Sequence, residues 1–273
     1  MPPEYSDYRT LTLSRDEDGI LLVQLHNEGG GTLEFSMVAH GEWPKLWGEI
    51  ADDSQTRLVI ITGTGEEFLG QRKSLPGGPT DRASLMTPKY WQQIMKESTA
   101  HVARLLDIPV PVISAVNGPV WGHGEIVLLN DIVIATPETW FRDTHLPEQV
   151  IPTDIWHILL PPLIGRIRTA YFQYTDQIIE AAEALRLGLV NEIVPADRLL
   201  ERAYQIARHI LRQPDANLQY LRRILTHEMR GKVHALVEYG LAVEGLACID
   251  ADWSDWVVDY QGVPPLDPAT VKA

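Results

Sequence analysis

The chain has 273 residues, with 23 Lys plus Arg against 37 Asp plus Glu, a formal net charge of −14. That acidity argues against a nucleic-acid binder, because few cations remain to displace phosphate counterions, and weakly against docking on an anionic membrane. A hydrophobic content of 45% with one cysteine, Cys248, describes a globular protein whose core needs no disulfide framework, suited to a reducing, cytoplasmic compartment. The length fits one large domain or about two smaller ones. The first residues carry no basic region followed by an apolar core, so no secretory signal is expected. No run approaches the roughly 18–20 apolar residues of a membrane span.

In chain order, Tyr8 to Ser14 alternates as a strand does, Asp16 to Gly19 carries turn residues, and Ile20 to His26 reads as the returning strand of a hairpin. Gly29-Gly30-Gly31 then breaks the chain without the Gly-Lys-Ser/Thr of a phosphate loop. Ser36 is placed to cap a helix running to about Ile50, with Pro44 bending its middle. Arg57 to Thr62 is apolar enough for a strand covered on both faces. Gly70 to Pro88, rich in Gly, Pro, Lys and Arg, reads as a mobile loop. Helix is expected from Pro88 to Leu106, a buried strand over Val110 to Val116 and a sharp turn at Asn117-Gly118-Pro119. A short helix over Gly122 to Leu129 and a strand over Asp131 to Ala135 follow.

Thr136 to Thr153 reads mostly as loop, and a helix over Ile155 to Leu160 should stop near Pro161-Pro162. Ala181 to Leu187 predicts helix and Leu189 to Val194 strand, separated by Gly188. Amphipathic helices are expected over Asp197 to Leu211, Asp215 to His227 and Lys232 to Ala247, the last two split by Gly231. The tail after Asp252 is mixed, and extended from Val263-Pro264-Pro265. No internal repeat, low-complexity tract or linker interrupts the pattern. Strands alternating with helices, then a helical last third, define an α/β protein with a helical appendage.

Acid–base candidates fall in loops and at element ends. His123 lies in Trp121-Gly122-His123-Gly124-Glu125, at the start of the short helix. A helix N-terminus disfavours its protonation and leaves a neutral ring with one N–H to donate; a structural hydrogen bonder fits equally. His145 and Asp154 stand nine residues apart across a proline-bounded loop. A His–Asp pair makes a general base, because the carboxylate fixes the tautomer and supports the imidazolium. An exposed loop histidine and a helix-terminal acid have the same spacing. His40 and Glu244 each sit in otherwise apolar helical stretches. A carboxylate there must be paired, protonated or turned to a polar cavity. The plainer alternatives are a satisfied core histidine and a glutamate whose stem reaches solvent.

The eight tryptophans suit core and subunit packing, or, as with Trp121, an aromatic-walled pocket. His26, His101, His157, His209, His227 and His234 offer no local argument. No His-Glu-x-x-His, paired cysteines or Asp-rich loop points to a metal, and no Gly-x-Ser-x-Gly elbow to a serine nucleophile. Cys248 reads as packing.

Val110-Pro111-Val112-Ile113-Ser114-Ala115-Val116-Asn117-Gly118, followed by Asn130-Asp131-Ile132-Val133-Ile134-Ala135, resembles the crotonase superfamily, that of the enoyl-CoA hydratases and isomerases. Arg57 to Gly63 and Ala184 to Pro195 match further landmarks in family order. The resemblance covers roughly Tyr8 to Asp250. It implies a single ββα superhelix with a C-terminal helical trimerisation region, which replaces the hairpin-plus-α/β layout. The implied division is a spiral core over 1–195, helices over 196–250 and a tail over 251–273, in a homo-trimer or dimer of trimers.

The departures point to a smaller branch. Where acyl-CoA enzymes carry the middle glycine of an oxyanion hole, this chain has His123. The first hydratase glutamate aligns near Ile126, with Glu125 out of register by one, and the second aligns with His145. The other oxyanion segment reads Phe68-Leu69-Gly70-Gln71-Arg72-Lys73. These features resemble the β-diketone hydrolases, the branch of 6-oxocamphor hydrolase. Carried over by position, the polar pocket set is His40, His123, His145, Asp154 and Glu244, with Phe35 and Trp121 as pocket walls. The resemblance implies cofactor-independent, metal-free cleavage of a C–C bond in a non-enolisable 1,3-diketone. Asp154 would orient His145 as base, His123 would stabilise the enolate, and His40 with Glu244 would hold the water or second carbonyl. The competing classes are an acyl-CoA enzyme, whose CoA phosphates Arg72 and Lys73 could meet, and a non-enzymatic scaffold binding RNA or a partner.

Overall fold

The computed structural model describes residues 5–71, 87–148 and 150–250. Most of the Gly70–Pro88 loop, with Arg72 and Lys73, and the tail after Asp252 lie outside the described residues. The hairpin forms as β1 (Leu11–Arg15) and β2 (Ile20–Leu25), paired antiparallel. Asp16 closes its turn by accepting the Ile20 N–H at 2.9 Å, and Gly19 takes a φ of 82° there. A side chain at Gly19 would also meet the Gln55 carbonyl at 2.9 Å. Ser36 caps α1 (Met37–Asp52) by accepting the Ala39 N–H, and Pro44 stays inside the helix. The Pro44 carbonyl is held by Arg104 at 2.9 Å.

There follow β3 (Leu58–Gly63), α2 (Pro88–Asp107), β4 (Val112–Val116), β5 (Val120–Trp121), α3 (Glu125–Leu128), β6 (Ile132–Ala135) and β7 (Trp140–Arg142). The chain continues through α4 (Trp156–Ile164), α5 (Arg166–Tyr174), β8 (Ile179–Glu180), α6 (Ala181–Leu187) and β9 (Glu192–Ile193). It ends in α7 (Leu199–Ile210), α8 (Asp215–Leu225) and α9 (His227–Asp250).

The main sheet runs β1-β2-β3-β4-β6-β9, parallel from β2 onward, and a second sheet runs β5-β7-β8. Both faces of the main sheet are covered, which is why its strands are apolar without alternation. Val59, Ile61 and Val116 face Trp43 and Trp47 of α1 and Leu105 of α2. Ile60, Ile113 and Ile134 face Ala203 and Ala207 of α7. Among the described residues no helix is long and apolar enough to cross a membrane.

The 136–153 stretch is mostly loop, as expected, with β7 its one short strand among the described residues, and three expectations fail. Helix α4 passes through Pro161 and Pro162, because burial of Trp156, Ile158, Leu159 and Leu160 outweighs two lost ladder bonds. The Leu189–Val194 strand shrinks to β9, and α5 was not anticipated. Gly231 does not split the last helices: the break falls at Thr226, and α9 runs on through Gly231.

Candidate active site

The site begins where two short parallel strands end. Pairing of Trp121 in β5 with Arg142 in β7 sets the next residues side by side, and the Gly122 N–H donates to the Arg142 carbonyl at 2.9 Å. His123 therefore leaves β5 beside Asp143 and His145 leaving β7, with the two imidazole centroids 6.1 Å apart. Side chains at the carboxyl ends of parallel strands are the usual place for a ligand crevice.

The 144–150 loop closes on itself through Glu148 N–H to Thr144 and Val150 N–H to the His145 carbonyl, at 3.0 and 2.8 Å. The chain then delivers Asp154 at the mouth of α4. The next residue, Ile155, is buried and held at a φ of 105°, a strained setting for a β-branched side chain. Helix α9 crosses close by: a Cβ at Gly240 would lie 2.5 Å from the His157 ring. That approach brings Glu244 to the Thr153 hydroxyl, which donates to its Oε2.

His145, Asp154, His123, Glu244, His40, Phe35 and Trp121 all line one cavity, with Gln71 and Val150 among its other walls. His145 donates from Nδ1 to Asp143 Oδ1 at 2.5 Å, while its Nε2 lies 3.5 Å from Asp154 Oδ2. The expected orienting acid, Asp154, is thus on the far nitrogen, and Asp143 holds the tautomer. His123 donates from Nδ1 to Glu125 Oε1 at 2.8 Å and stacks on Phe35 at 4.1 Å. Helix α3 has only four residues, so the buried carboxylate, not a helix end, sets the surroundings of His123.

His40 is held at both nitrogens, by Glu97 at 2.7 Å and Ser98 at 3.1 Å. No hydrogen bond among the described residues joins His40 to Glu244, because Glu97 and Ser98 already engage the ring. Among the described residues no three His, Cys, Asp or Glu side chains are grouped to hold a metal ion.

Burial opposes a charge on His145, Asp154, Glu244 and Glu125, and neighbours decide the outcome. Burial lowers the proton affinity of His145, but Asp143 and Asp154 outweigh it and hold its pKa well above 6.5. Burial would raise Asp154, yet His145 holds it well below the usual carboxylate range. Burial and the Asp154 charge push Glu244 up to about 8, against the smaller pull of His145 and the Thr153 hydroxyl. Glu125 is buried too, but His123 and His101 bring it down to about 2.

Sequence reasoning missed Asp143, Glu97 and Thr153, and took Glu125 only as an acid out of register. Of the three carboxylates that hold a histidine Nδ1, two lie two residues from their histidines, Asp143 before His145 and Glu125 after His123, while Glu97 reaches His40 from another helix. That spacing was the available signal. His101, set aside as uninformative, is buried behind His123 and accepts the Trp47 indole N–H at 3.0 Å.

Residues 16–241 match the enoyl-CoA hydratase/isomerase family, and the chain belongs to it, within the crotonase superfamily. A β-diketone hydrolase from the cyanobacterium Anabaena, solved with (S)-3-oxocyclohexyl acetic acid bound, is 38% identical with a TM-score of 0.82. The match covers 89% of this chain and 95% of that one. The 1,2-epoxyphenylacetyl-CoA isomerase of Escherichia coli is 26% identical over 90% of this chain and 93% of its own length. An enoyl-CoA hydratase/isomerase from Mycobacterium paratuberculosis shares the fold at 23% identity and a TM-score of 0.81, covering 93% and 99% of the two chains.

Proposed function

We propose that the protein hydrolyses a C–C bond in compact, non-enolisable 1,3-diketones, bicyclic ones above all, by a retro-Claisen reaction without cofactor or metal. The observation that carries this reading is the pair of carboxylate-held histidines facing one cavity at the positions where acyl-CoA relatives carry an oxyanion glycine and a hydratase glutamate. Similarity to the Anabaena hydrolase supports it. The keto acid bound there is what a bicyclic diketone yields: rejoining its carboxyl carbon to the far ring carbon beside the ketone regenerates a bicyclo[2.2.2]octane-2,6-dione.

The chemistry follows from the geometry. Nδ1 of His145 is taken by Asp143, so Nε2 meets the nucleophilic water. The 3.5 Å separation from Asp154 leaves that water within reach of both groups, and Asp154 Oδ1 is buried without a hydrogen-bond partner among the described residues. His145 takes one proton as the water oxygen bonds to a carbonyl carbon. The tetrahedral intermediate expels the bond to the shared carbon, and its electron pair moves into the second carbonyl as an enolate. The products are a carboxylate and, once the enolate carbon is protonated, a ketone. His123 meets the second carbonyl through Nε2 and stabilises the enolate. Neutral Glu244 donates to the hydrated carbonyl. His40, engaged on both nitrogens, serves as a fixed wall.

Against the acyl-CoA alternative, none of the described lining residues is Lys or Arg. The N–H groups of Phe68, Leu69 and Gly70 are spent on the Pro119 and Leu33 carbonyls rather than left for a thioester.

The test is cleavage of bicyclo[2.2.2]octane-2,6-dione without cofactor, followed by loss of diketone and appearance of keto acid, with crotonyl-CoA offered in parallel. Diketone cleavage that collapses in His145→Ala and His123→Ala supports the reading. Turnover of crotonyl-CoA alone overturns it. We also place the protein in a homo-trimer, pairing or not into hexamers, through the helices over 196–250 outside a spiral core over 1–195. Exposed Ile224, Leu225, Tyr239 and Leu246 supply an apolar face for it.

A further inference from the structure

Glu125 has no contact with solvent, yet it is a carboxylate at the end of a four-residue helix. A buried carboxylate must be matched by donors or neutralised. Its Oε1 has two histidines beside it, His123 Nδ1 at 2.8 Å and His101 Nε2 at 3.5 Å. The state of His101 can be read from Trp47. An indole N–H only donates, so His101 Nδ1 is the acceptor of that 3.0 Å bond and its proton sits on Nε2, toward Glu125. The His123 N–H donates to Oε1 and the His101 N–H stands 3.5 Å from it, outside hydrogen-bond geometry, while Oε2 is buried without a partner among the described residues; the two ring N–H groups keep the carboxylate ionised. Its low pKa agrees.

We propose that Glu125 is the positioning residue of the enolate half of the site, holding His123 through Nδ1 so that Nε2 is presented to the second carbonyl of the substrate. The proposal rests on the retro-Claisen reading only for what Nε2 meets. Phe35, stacked at 4.1 Å, and the edge of Trp43 at 5.7 Å confine the ring to this orientation. Other titratable groups around it are His40 and Glu97 from α1 and α2, His101 from α2, Asp143, His145, Glu148 and Asp154 from the loop, and Glu244 from α9.

The cavity then holds two carboxylate–histidine dyads side by side, one per half-reaction. Asp143–His145 takes a proton from water. His123 keeps Nδ1–H on Glu125 and, on the retro-Claisen reading, meets the developing enolate with a second N–H on Nε2. When that proton passes to the enolate, His123 is left neutral with Nδ1–H still on Glu125. Solvent resets the pair by carrying the proton gained at His145 back to His123, so atoms and charge balance over one turnover.

The test combines ¹⁵N-histidine NMR of the wild type with kinetics of three variants. In alkaline buffer, neutral wild-type His123 should be the Nδ1–H tautomer; finding Nε2–H overturns the proposal without any variant. Glu125→Leu should lower kcat about 10²-fold with KM little changed and mix the two tautomers. Glu125→Gln, which keeps an acceptor, should recover most of that loss. Glu125→Leu combined with His123→Ala should be no slower than His123→Ala alone. A further loss there, or equal losses for Leu and Gln, overturns the role. If the wild type cleaves no diketone, the reaction reading falls, and the tautomer measurement alone decides whether Glu125 holds His123.

Discussion

Replacing Glu244 with glutamine asks whether the pocket holds a neutral carboxylic acid. The folded protein keeps the Glu244 proton up to about pH 8, whereas the unfolded chain releases it near the ordinary 4.5. Between these values the folded state binds one more proton than the unfolded, so stability falls as pH rises. The contribution is whole below pH 4.5 and gone above about 8. At ~1.36 kcal/mol per unit, the drop is at most about 5 kcal/mol, and sharing of charge with Asp154 brings it to about 2–5 kcal/mol.

The glutamine side chain fills the same space and can still accept from the Thr153 hydroxyl, but it has no proton to lose. Urea titrations at fixed protein concentration should give the Glu244→Gln variant a growing advantage from pH 5 to pH 9, in melting terms on the order of 10 °C. Parallel curves for the two proteins across that range would mean that Glu244 is already ionised in the folded state, and would remove it as a donor to the substrate.

Three further outcomes are expected. kcat/KM should rise with pH on an acid limb above 6.5, because His145 must lose its proton to act as base and Asp143 and Asp154 hold that proton; a limb at or below 6.5 would exclude His145 as the base. His123→Ala should cost about 10²–10³-fold in kcat, the scale of one lost charge-directed donor, measured on the diketone at saturating substrate. Arg222→Met should destabilise the fold by about 3–5 kcal/mol by urea titration. It removes the ion-pair partner of Asp131 at 2.7 Å and the buried donor to the Ile108 carbonyl.

The apolar β-branched runs and the amphipathic helices were legible because burial on one or two faces writes itself into periodicity. Strands of two or three residues leave no period, so β5, β7 and β8 were invisible or left as loop. Yet it is the pairing of Trp121 with Arg142 that brings His123 and His145 together. The five polar pocket residues were found by resemblance, and their partners were not, because a partner is a matter of direction. Asp154 looked like the orienting acid from its spacing, but the chain turns at Ile155 so that it meets Nε2, and Asp143 takes Nδ1. His40 and Glu244 looked alike as polar residues on apolar helices. Only packing separates them: α2 provides Glu97 and Ser98 for the first, while the second faces Thr153 and an acid.

The charges of the pocket explain why these protonation states belong together. Hydroxide and enolate are both anions, and four acids, Glu125, Asp143, Asp154 and Glu244, stand around the place where they would form. Were all four ionised without cations, the site would repel its own intermediates. Asp143 and Asp154 are instead matched by His145, and Glu125 by His123, each at or near hydrogen-bond distance. For Glu244, burial and the Asp154 charge beside it make the neutral acid the favoured state. The acids that give His145 its basicity thus favour the protonated form of Glu244, which faces the cavity as a donor. On the retro-Claisen reading, side-chain protons of this pocket take the part that the family resemblance gives to backbone N–H groups in acyl-CoA enzymes.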